Sequence, residues 1–535
     1  LFGEGSFLRR VGDGWERIAS IEATLGASPV DQERVIRIWP EQSARAEGSW
    51  YSVATTEEGV YCLGYDELQS LGVQPEELSP QSLRLFGQGG RALPLDNDVD
   101  RPLDIPQQRV VFRGLDDGSF DPGDELCWYA PSIEGWNWSE NDGWSHQSAW
   151  WGDTAKWFLR VDAPMELERL DIPTSPEFSG IVDVTRTSHI AFGVEEEHEV
   201  NLIKSGRNWF GTRLSALGAN TATWNIPVPH LKLDEPCTVR FAAAMRSVGT
   251  GTSSQLDVSF GQETLMLTDN LLSASSLSYG KYVNGTLTSL MPTESIQVLA
   301  SFTAGTDDSN AWVDYLSYQA PQNLVYNSGQ FAINGLPVDE GGSGIASAEY
   351  VLGGNVPDQV WDVTNPLEVE RMTIGAVNGS TVWKDELTDV PRRYMAFRWN
   401  DVLRPIPLGA VGNSNVHGLG QVDYVVVTTP SLQQAADSLA NIHAGLGKRV
   451  AVVMQQDVFD AFSSGTSDPT SIKMLMMMLR DRAELSAGEW SPPKYLLLMG
   501  DASYDNRNVQ GNGNAIVGFY SSESLQTTTS YISDD

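Results

Sequence analysis

Val422-Asp423-Tyr424-Val425-Val426-Val427 is a nearly continuous apolar run, the pattern of a parallel strand covered on both faces. Leu432, Ala435, Ala436, Leu439 and Ile442 follow at helical spacing, and Gly445 and Gly447 end that helix. Arg449-Val450-Ala451-Val452-Val453-Met454 reads as a second buried strand. Asp468-Pro469 supplies an N-cap and a first-turn proline to another helix, whose Ile472, Leu475, Met476 and Leu479 make one apolar face. Its methionines read as core packing. Tyr495-Leu496-Leu497-Leu498-Met499 is a third strand of the same kind. The order strand, helix, strand, helix, strand builds a parallel sheet with right-handed crossovers, so residues 421–535 form an α/β unit.

Everything before residue 421 has a different rhythm. Residues 1–165 read as short alternating strands broken by turns, as in Ser49-Trp50-Tyr51-Ser52-Val53 and Glu58-Gly59-Val60-Tyr61, with one short helix from Tyr65 to Leu71 that stops at Gly72. Residues 166–322 continue in strands such as Thr238 to Met245 and Ile296 to Phe302, a β-sandwich of jelly-roll type. Residues 323–420 are a β-rich connector with a flexible break at Gly341-Gly342-Ser343-Gly344. At about 100 to 200 residues per domain, 535 residues accommodate these units, and the 41% hydrophobic share supplies their cores.

Candidate chemistry follows the α/β sheet. Ligands in open parallel sheets sit beyond the carboxyl ends of the strands, which places Gly500-Asp501-Ala502-Ser503-Tyr504-Asp505 where a site would form. The chain lacks a GxxxxGK[ST] loop, a GxGxxG after its first α/β strand and a GxSxG elbow, which disfavours nucleotide binding and a serine hydrolase. Cys62, Cys127 and Cys237 all precede the α/β unit and read as buried, inert thiols. His443 sits near the end of the first α/β helix, a place for a surface role, and the pair His417-Gly418 precedes the first parallel strand. The turns Asp116-Asp117-Gly118 and Asp121-Pro122-Gly123-Asp124 could hold structural calcium, but they lack the distal Glu of a full loop and read as plain turns. Seven of the 17 tryptophans fall between Trp128 and Trp157, either filling a sandwich core or offering a docking surface around the loop Ser139 to Gly143.

Several ordered motifs resemble the sortases of the type IX secretion system, members of the gingipain family of cysteine peptidases. They are Gly48-Ser49-Trp50-Tyr51, Leu85-Phe86-Gly87-Gln88-Gly89-Gly90 and Asp121-Pro122-Gly123-Asp124 in the first domain, and Asp423-Tyr424-Val425-Val426-Val427-Thr428, Phe462-Ser463-Ser464-Gly465, Pro493-Lys494-Tyr495, Gly500-Asp501-Ala502-Ser503-Tyr504-Asp505, Tyr520-Ser521-Ser522-Glu523-Ser524 and Ser533-Asp534-Asp535 in the α/β unit. The resemblance implies N-terminal β domains followed by the first half of an α/β, caspase-like peptidase domain. It implies a cell-surface, outer-membrane-associated endopeptidase and transpeptidase of Bacteroidetes-type bacteria, which removes C-terminal sorting domains from secreted clients and joins the clients to anionic lipopolysaccharide. A thiolate and a histidine would do that chemistry without a cofactor. The implied partners are the outer-membrane shuttle protein, other secretion components, client sorting domains and the lipopolysaccharide. In the family the histidine and cysteine lie in the second half of the peptidase domain, so this chain alone is expected to be inactive. Asp534 matches the acid that orients the histidine, with a turn or N-cap aspartate as the alternative. A second function class is a non-catalytic surface scaffold that binds partners or glycans.

Seventy acidic and 35 basic residues leave a net charge of −35, which repels nucleic acid and anionic lipid alike. No run of about 18 apolar residues is present. The chain opens without a charged and then apolar leader, so any signal peptide is expected to be removed or to lie outside it. Only eight of the basic residues are Lys, a balance that suits salty surroundings, where screening tames self-repulsion. The thermal midpoint is therefore expected to rise with added sodium chloride; a salt series showing no gain would remove this reading.

Overall fold

The computed structural model describes residues 7–11, 14–18, 35–114, 118–140, 143–336, 345–511, 513–520 and 524–525. Residues 1–36 form one compact unit, in which Phe7–Val11 pairs antiparallel with Gly14–Ile18, and residues 37–535 form a second.

In the second unit, Trp50–Thr55 and Ala155–Arg160 pair antiparallel, with Arg84–Phe86 on the far side of the latter. The remaining edge is taken by Ile406–Val411, a strand about 350 residues further along the chain. The first β domain is thus closed by the segment that immediately precedes the α/β unit. Beside it, Gly59–Gly64 pairs with Glu125–Ala130, and Cys62 stands directly opposite Cys127. These two cysteines form a disulfide that closes a 65-residue separation, which corrects their reading as inert thiols. Two apolar strands brought into register place the sulfurs face to face, a relation invisible in the linear sequence. Cys237 remains a buried free thiol in the sandwich.

The sandwich is built as its alternation predicts. Cys237–Val248 pairs with Asn310–Asn323 and Lys281–Ser289 in one sheet, and Ser295–Thr303 pairs with Thr221–Pro227 and Gln255–Phe260 in the other. Val239, Phe241 and Met245 from the first sheet pack in one core with Leu256, Val258 and Val298 from the second. In the connector, Tyr350 stacks on Trp383 with ring centroids 5.1 Å apart, at the centre of a further core with Tyr326 and Tyr394.

The tryptophan segment is mostly interior. Trp128, Trp136, Trp144, Trp151 and Trp157 are buried, Trp138 and Trp150 half-buried. Trp136 stacks on Phe192 of the sandwich at 4.2 Å, so the hairpin Gly135–Ser139 and Gly143–Gln147 uses its rings to hold the sandwich. Packing takes up most of the surface that docking would require.

The α/β unit has Tyr424–Thr428 at the centre of a three-stranded parallel sheet, flanked by Val450–Met454 and Tyr495–Leu498. Val425, Val426 and Val427 are fully buried, as the apolar run requires. The helices are Gln433–Gly445, Gln455–Phe462 and Thr470–Leu485. The eight-residue middle helix follows the second strand without a loop and is too short to leave a periodic signal. Tyr495–Leu498 departs from the expectation of a covered strand, since Tyr495, Leu496 and Leu498 are each about 40% exposed or more. They lie on an edge strand that no described element covers. Ile442 of the first helix is likewise exposed, and only Ala436 of that helix is fully buried. Among the described residues no helix is long and apolar enough to cross a membrane.

Three buried aspartates hold the α/β unit to the first β domain. Asp460 receives Arg45 Nη1 at 2.5 Å, Lys156 Nζ at 3.1 Å and Gln456 Nε2 at 2.7 Å. Asp468 caps the Thr470–Leu485 helix by accepting from Thr470 N at 2.8 Å, and its second oxygen accepts from Leu93 N at 2.7 Å. Asp481 accepts from the Trp39 indole N–H at 2.9 Å. Replacing Asp460 by Ala strands the buried Arg45 guanidinium and is expected to cost about 3–5 kcal/mol, the usual loss when one member of a buried pair is removed. Chemical denaturation of the two proteins measures it.

Candidate functional site

The carboxyl ends of the three parallel strands are Thr428, Met454 and Leu498, and the chain leaving the third strand turns back over them. Gly500 permits that turn, because a Cβ there would come within 3.0 Å of the Ile516 Cβ. The amides of Ala515 and Ile516 donate to the Asp501 carbonyl at 2.9 and 3.2 Å, and Gln455, at the start of the helix after the second strand, bonds the backbone of Ala515 and Val517. Residues 500–511 and 513–518 are therefore tied down across the sheet edge.

Asp505 organises this loop. It is fully buried, and its two oxygens accept from Val509 N and Gln510 N, each at 2.7 Å. Asn514 donates to the Asp505 carbonyl at 2.8 Å and accepts from Ser503 N at 2.6 Å. Asp501, in contrast, is exposed. The two aspartates that the sequence sets side by side do not converge on one ligand position: one is consumed by its own loop and the other faces solvent. Tyr504 stacks on Trp209 at 5.9 Å, and Ser524 Oγ accepts from Asn208 N at 2.9 Å, so the loop and Ser524 after it also lean on the segment that follows the sandwich strand Ser188–Glu196.

The hydroxyls at the edge are engaged locally. Thr428 Oγ1 donates to the Met499 carbonyl at 3.2 Å, and Thr429 and Ser431 bond each other at 3.0 Å. No cysteine reaches this edge, because two are joined in the first domain and Cys237 lies within the sandwich, where burial pushes its thiol up to about 11. His417 is fully buried, with Nδ1 at 2.9 Å from Ser43 Oγ and Nε2 at 2.8 Å from the Leu103 carbonyl. Burial lowers its pKa against the opposing pull of Asp104, as befits an imidazole used as a neutral packing group. His443 packs edge-on against Tyr424 at 4.6 Å, near the amino end of that strand and away from the edge. Asp534, the expected orienting acid, lies outside the described residues, as do Asp116 and Asp117 of the first acidic turn. In the second turn, Asp124 Oδ2 accepts from Asp121 N at 2.7 Å.

What the described edge can do is position: it offers an ordered loop over a parallel sheet, held by the side chains of Asp505, Asn514 and Gln455. Sequence reading located the loop through its place after the third strand. It missed the three docking aspartates, whose partners lie hundreds of residues away.

Residues 417–535 match the family model of Peptidase family C25. No curated protein matches the chain. Among solved structures, the chain is similar to dimeric latent PorU from Porphyromonas gingivalis, with a TM-score of 0.77 at 22% identity over 91% of this chain and 46% of that one. This chain thus spans about half of that protein's length, and at this identity the likeness shows a shared fold. A carbohydrate-binding module CBM36 in complex with calcium and xylotriose matches 24% of this chain and 98% of its own at 13% identity, with a TM-score of 0.16, too low to argue from.

Replacing Asp505 by Ala removes the acceptor for the part-buried amide bonds of Val509 and Gln510, at an expected local cost of about 1–3 kcal/mol. Hydrogen exchange should quicken at residues 501–518 and stay unchanged in the sandwich.

Proposed function

We propose that this chain is the β-domain scaffold and first α/β subdomain of a gingipain-type cysteine endopeptidase and transpeptidase working at a bacterial cell surface. The match of residues 417–535 to Peptidase family C25, on a parallel sheet whose carboxyl edge is already ordered, carries the reading. In this proposal the parent protein acts as a type IX sortase. A thiolate attacks the scissile carbonyl ahead of a client's sorting domain, a histidine passes the proton to the leaving amine, and the acyl-enzyme is released by water or by an amine of anionic lipopolysaccharide. Asp534 would orient that histidine. The Cys62–Cys127 disulfide suits the oxidising compartment such a protein would occupy, held to the outer membrane through the shuttle protein and other secretion components.

The chain by itself would not cleave, because none of its three cysteines stands at the sheet edge. That same observation supports the second reading, a surface scaffold that holds partners or glycans without catalysis. The test incubates a client bearing a C-terminal sorting domain with residues 1–535 and, separately, with the complete product of the gene. Cleavage and labelling by a thiol-directed inhibitor are expected only with the complete product, and Asp534→Ala in that protein should lower kcat. Cleavage by residues 1–535 alone would overturn the assignment of the nucleophile. No cleavage by either would favour the scaffold.

A further inference from the structure

Far from the parallel sheet, three metal-ligating side chains meet where the tryptophan hairpin crosses the sandwich, and a fourth, His198, stands beside one of them. Glu134 precedes the hairpin strand Gly135–Ser139, and His146 lies on its partner Gly143–Gln147. Glu196 ends the sandwich strand Ser188–Glu196, and His198 follows it. One donor atom from each of Glu134, His146 and Glu196 lies within 4.8 Å of the other two. His146 Nε2 is 3.6 Å from Glu134 Oε2, His146 Nδ1 is 3.7 Å from Glu196 Oε2, and His198 Nε2 is 3.8 Å from Glu196 Oε1. These separations are too long for hydrogen bonds; His146 turns one nitrogen toward each carboxylate, so a single ion would take one of the two nitrogens and draw the other carboxylate to it.

Their burial is the second observation. The side chains of His146 and Glu196 are only 3% and 5% exposed. No hydrogen-bond partner reaches His146 Nε2, Glu196 Oε2 or His198 Nδ1, although each atom is buried. Buried polar atoms left unpaired are costly, and His146 Nε2 and Glu196 Oε2 both face the cluster, so they call for a common ligand; His198 faces it with its other nitrogen, Nε2. Glu196 is oriented by Ser148 Oγ, which donates to its other oxygen at 2.8 Å, the kind of supporting contact that aims a metal ligand. A cavity of about 260 Å³ opens beside His146, Glu196 and His198, giving an entry path. Arg507 lies within electrostatic reach of Glu134 and His198, and its ion pair with Asp153 moderates that opposing charge.

We propose that Glu134, His146, Glu196 and His198 bind one Zn²⁺ that clamps the tryptophan hairpin to the sandwich. Two imidazoles and two carboxylates are the nitrogen and oxygen donors zinc takes in four-coordinate sites, whereas Ca²⁺ demands six to eight oxygens. With metal–donor distances of about 2.0–2.2 Å, donors around zinc lie no more than about 4.4 Å apart, so in this proposal rotamer movements draw in Glu134, His146 and Glu196, and His198 completes the set from beside Glu196. Two ligands come from the hairpin and two from the sandwich strand, so binding cross-links elements about 50 residues apart.

The test strips the purified full chain with a chelator, titrates it with Zn²⁺ alone, and follows binding by calorimetry, metal content and the thermal midpoint. One Zn²⁺ per chain and a zinc-dependent rise in the midpoint are expected, with binding weakened by about 100-fold or more in His146→Ala. His198→Ala and Glu134→Gln, less deeply buried, carry the same test if His146→Ala does not fold. His230→Ala, a histidine outside the cluster, should bind as the parent does. Absence of stoichiometric zinc, equal binding in the cluster variants, or tighter binding of Ca²⁺ than of Zn²⁺ would each overturn the proposal.

Discussion

The carboxylate of Asp460 is the point on which the arrangement of domains turns. It is 2% exposed, and three donors converge on it from the segment ahead of the first β domain's central sheet, from that sheet and from its own helix. An isolated charge at that depth would be prohibitively costly, so the carboxylate is tolerable only when Arg45 and Lys156 are in place. The α/β unit can therefore sit in one orientation, the one that satisfies this charge. Asp468 and Asp481 repeat the device along the next helix, accepting from Leu93 and Trp39. Polar pins of this kind specify geometry more sharply than apolar contact, because a small slip leaves a buried charge unpaired.

Strand exchange reinforces the same constraint. Ile406–Val411 completes the sheet begun by Trp50–Thr55, then passes the chain through the buried His417 into the parallel sheet. The α/β unit is thereby tethered to the first domain at its entrance and pinned along two helices. Elsewhere in the unit, among the described residues, no element covers the edge strand Tyr495–Leu498, and Ile442 of the first helix is exposed.

The loop over the sheet edge and the cluster at the tryptophan hairpin show two fates of buried acids. Asp505 is satisfied by amides four and five residues ahead of it, a local arrangement that fixes a loop. Glu196 faces two imidazoles at nearly 4 Å with one oxygen unpaired, a non-local arrangement with room for an ion. The difference lies in whether the backbone nearby can supply the donors.

The sequence by itself determined the classes of structure. Unbroken apolar runs around Val425 and Val452 specified parallel strands, the run from Thr238 to Met245 specified a sandwich strand, and Asp468-Pro469 marked a helix start, because periodicity and capping are properties of neighbouring residues. The placement of a loop at Gly500 to Asp505 followed from strand order alone. Tertiary structure alone decided which distant groups meet: Cys62 with Cys127, Asp460 with Arg45, and His146 with Glu196. It also decided that Tyr495 to Leu498, apolar enough for a covered strand, stands at an edge, and that most tryptophans fill seams. Burial and pairing depend on what packs across from a residue, and a linear pattern carries no record of that partner.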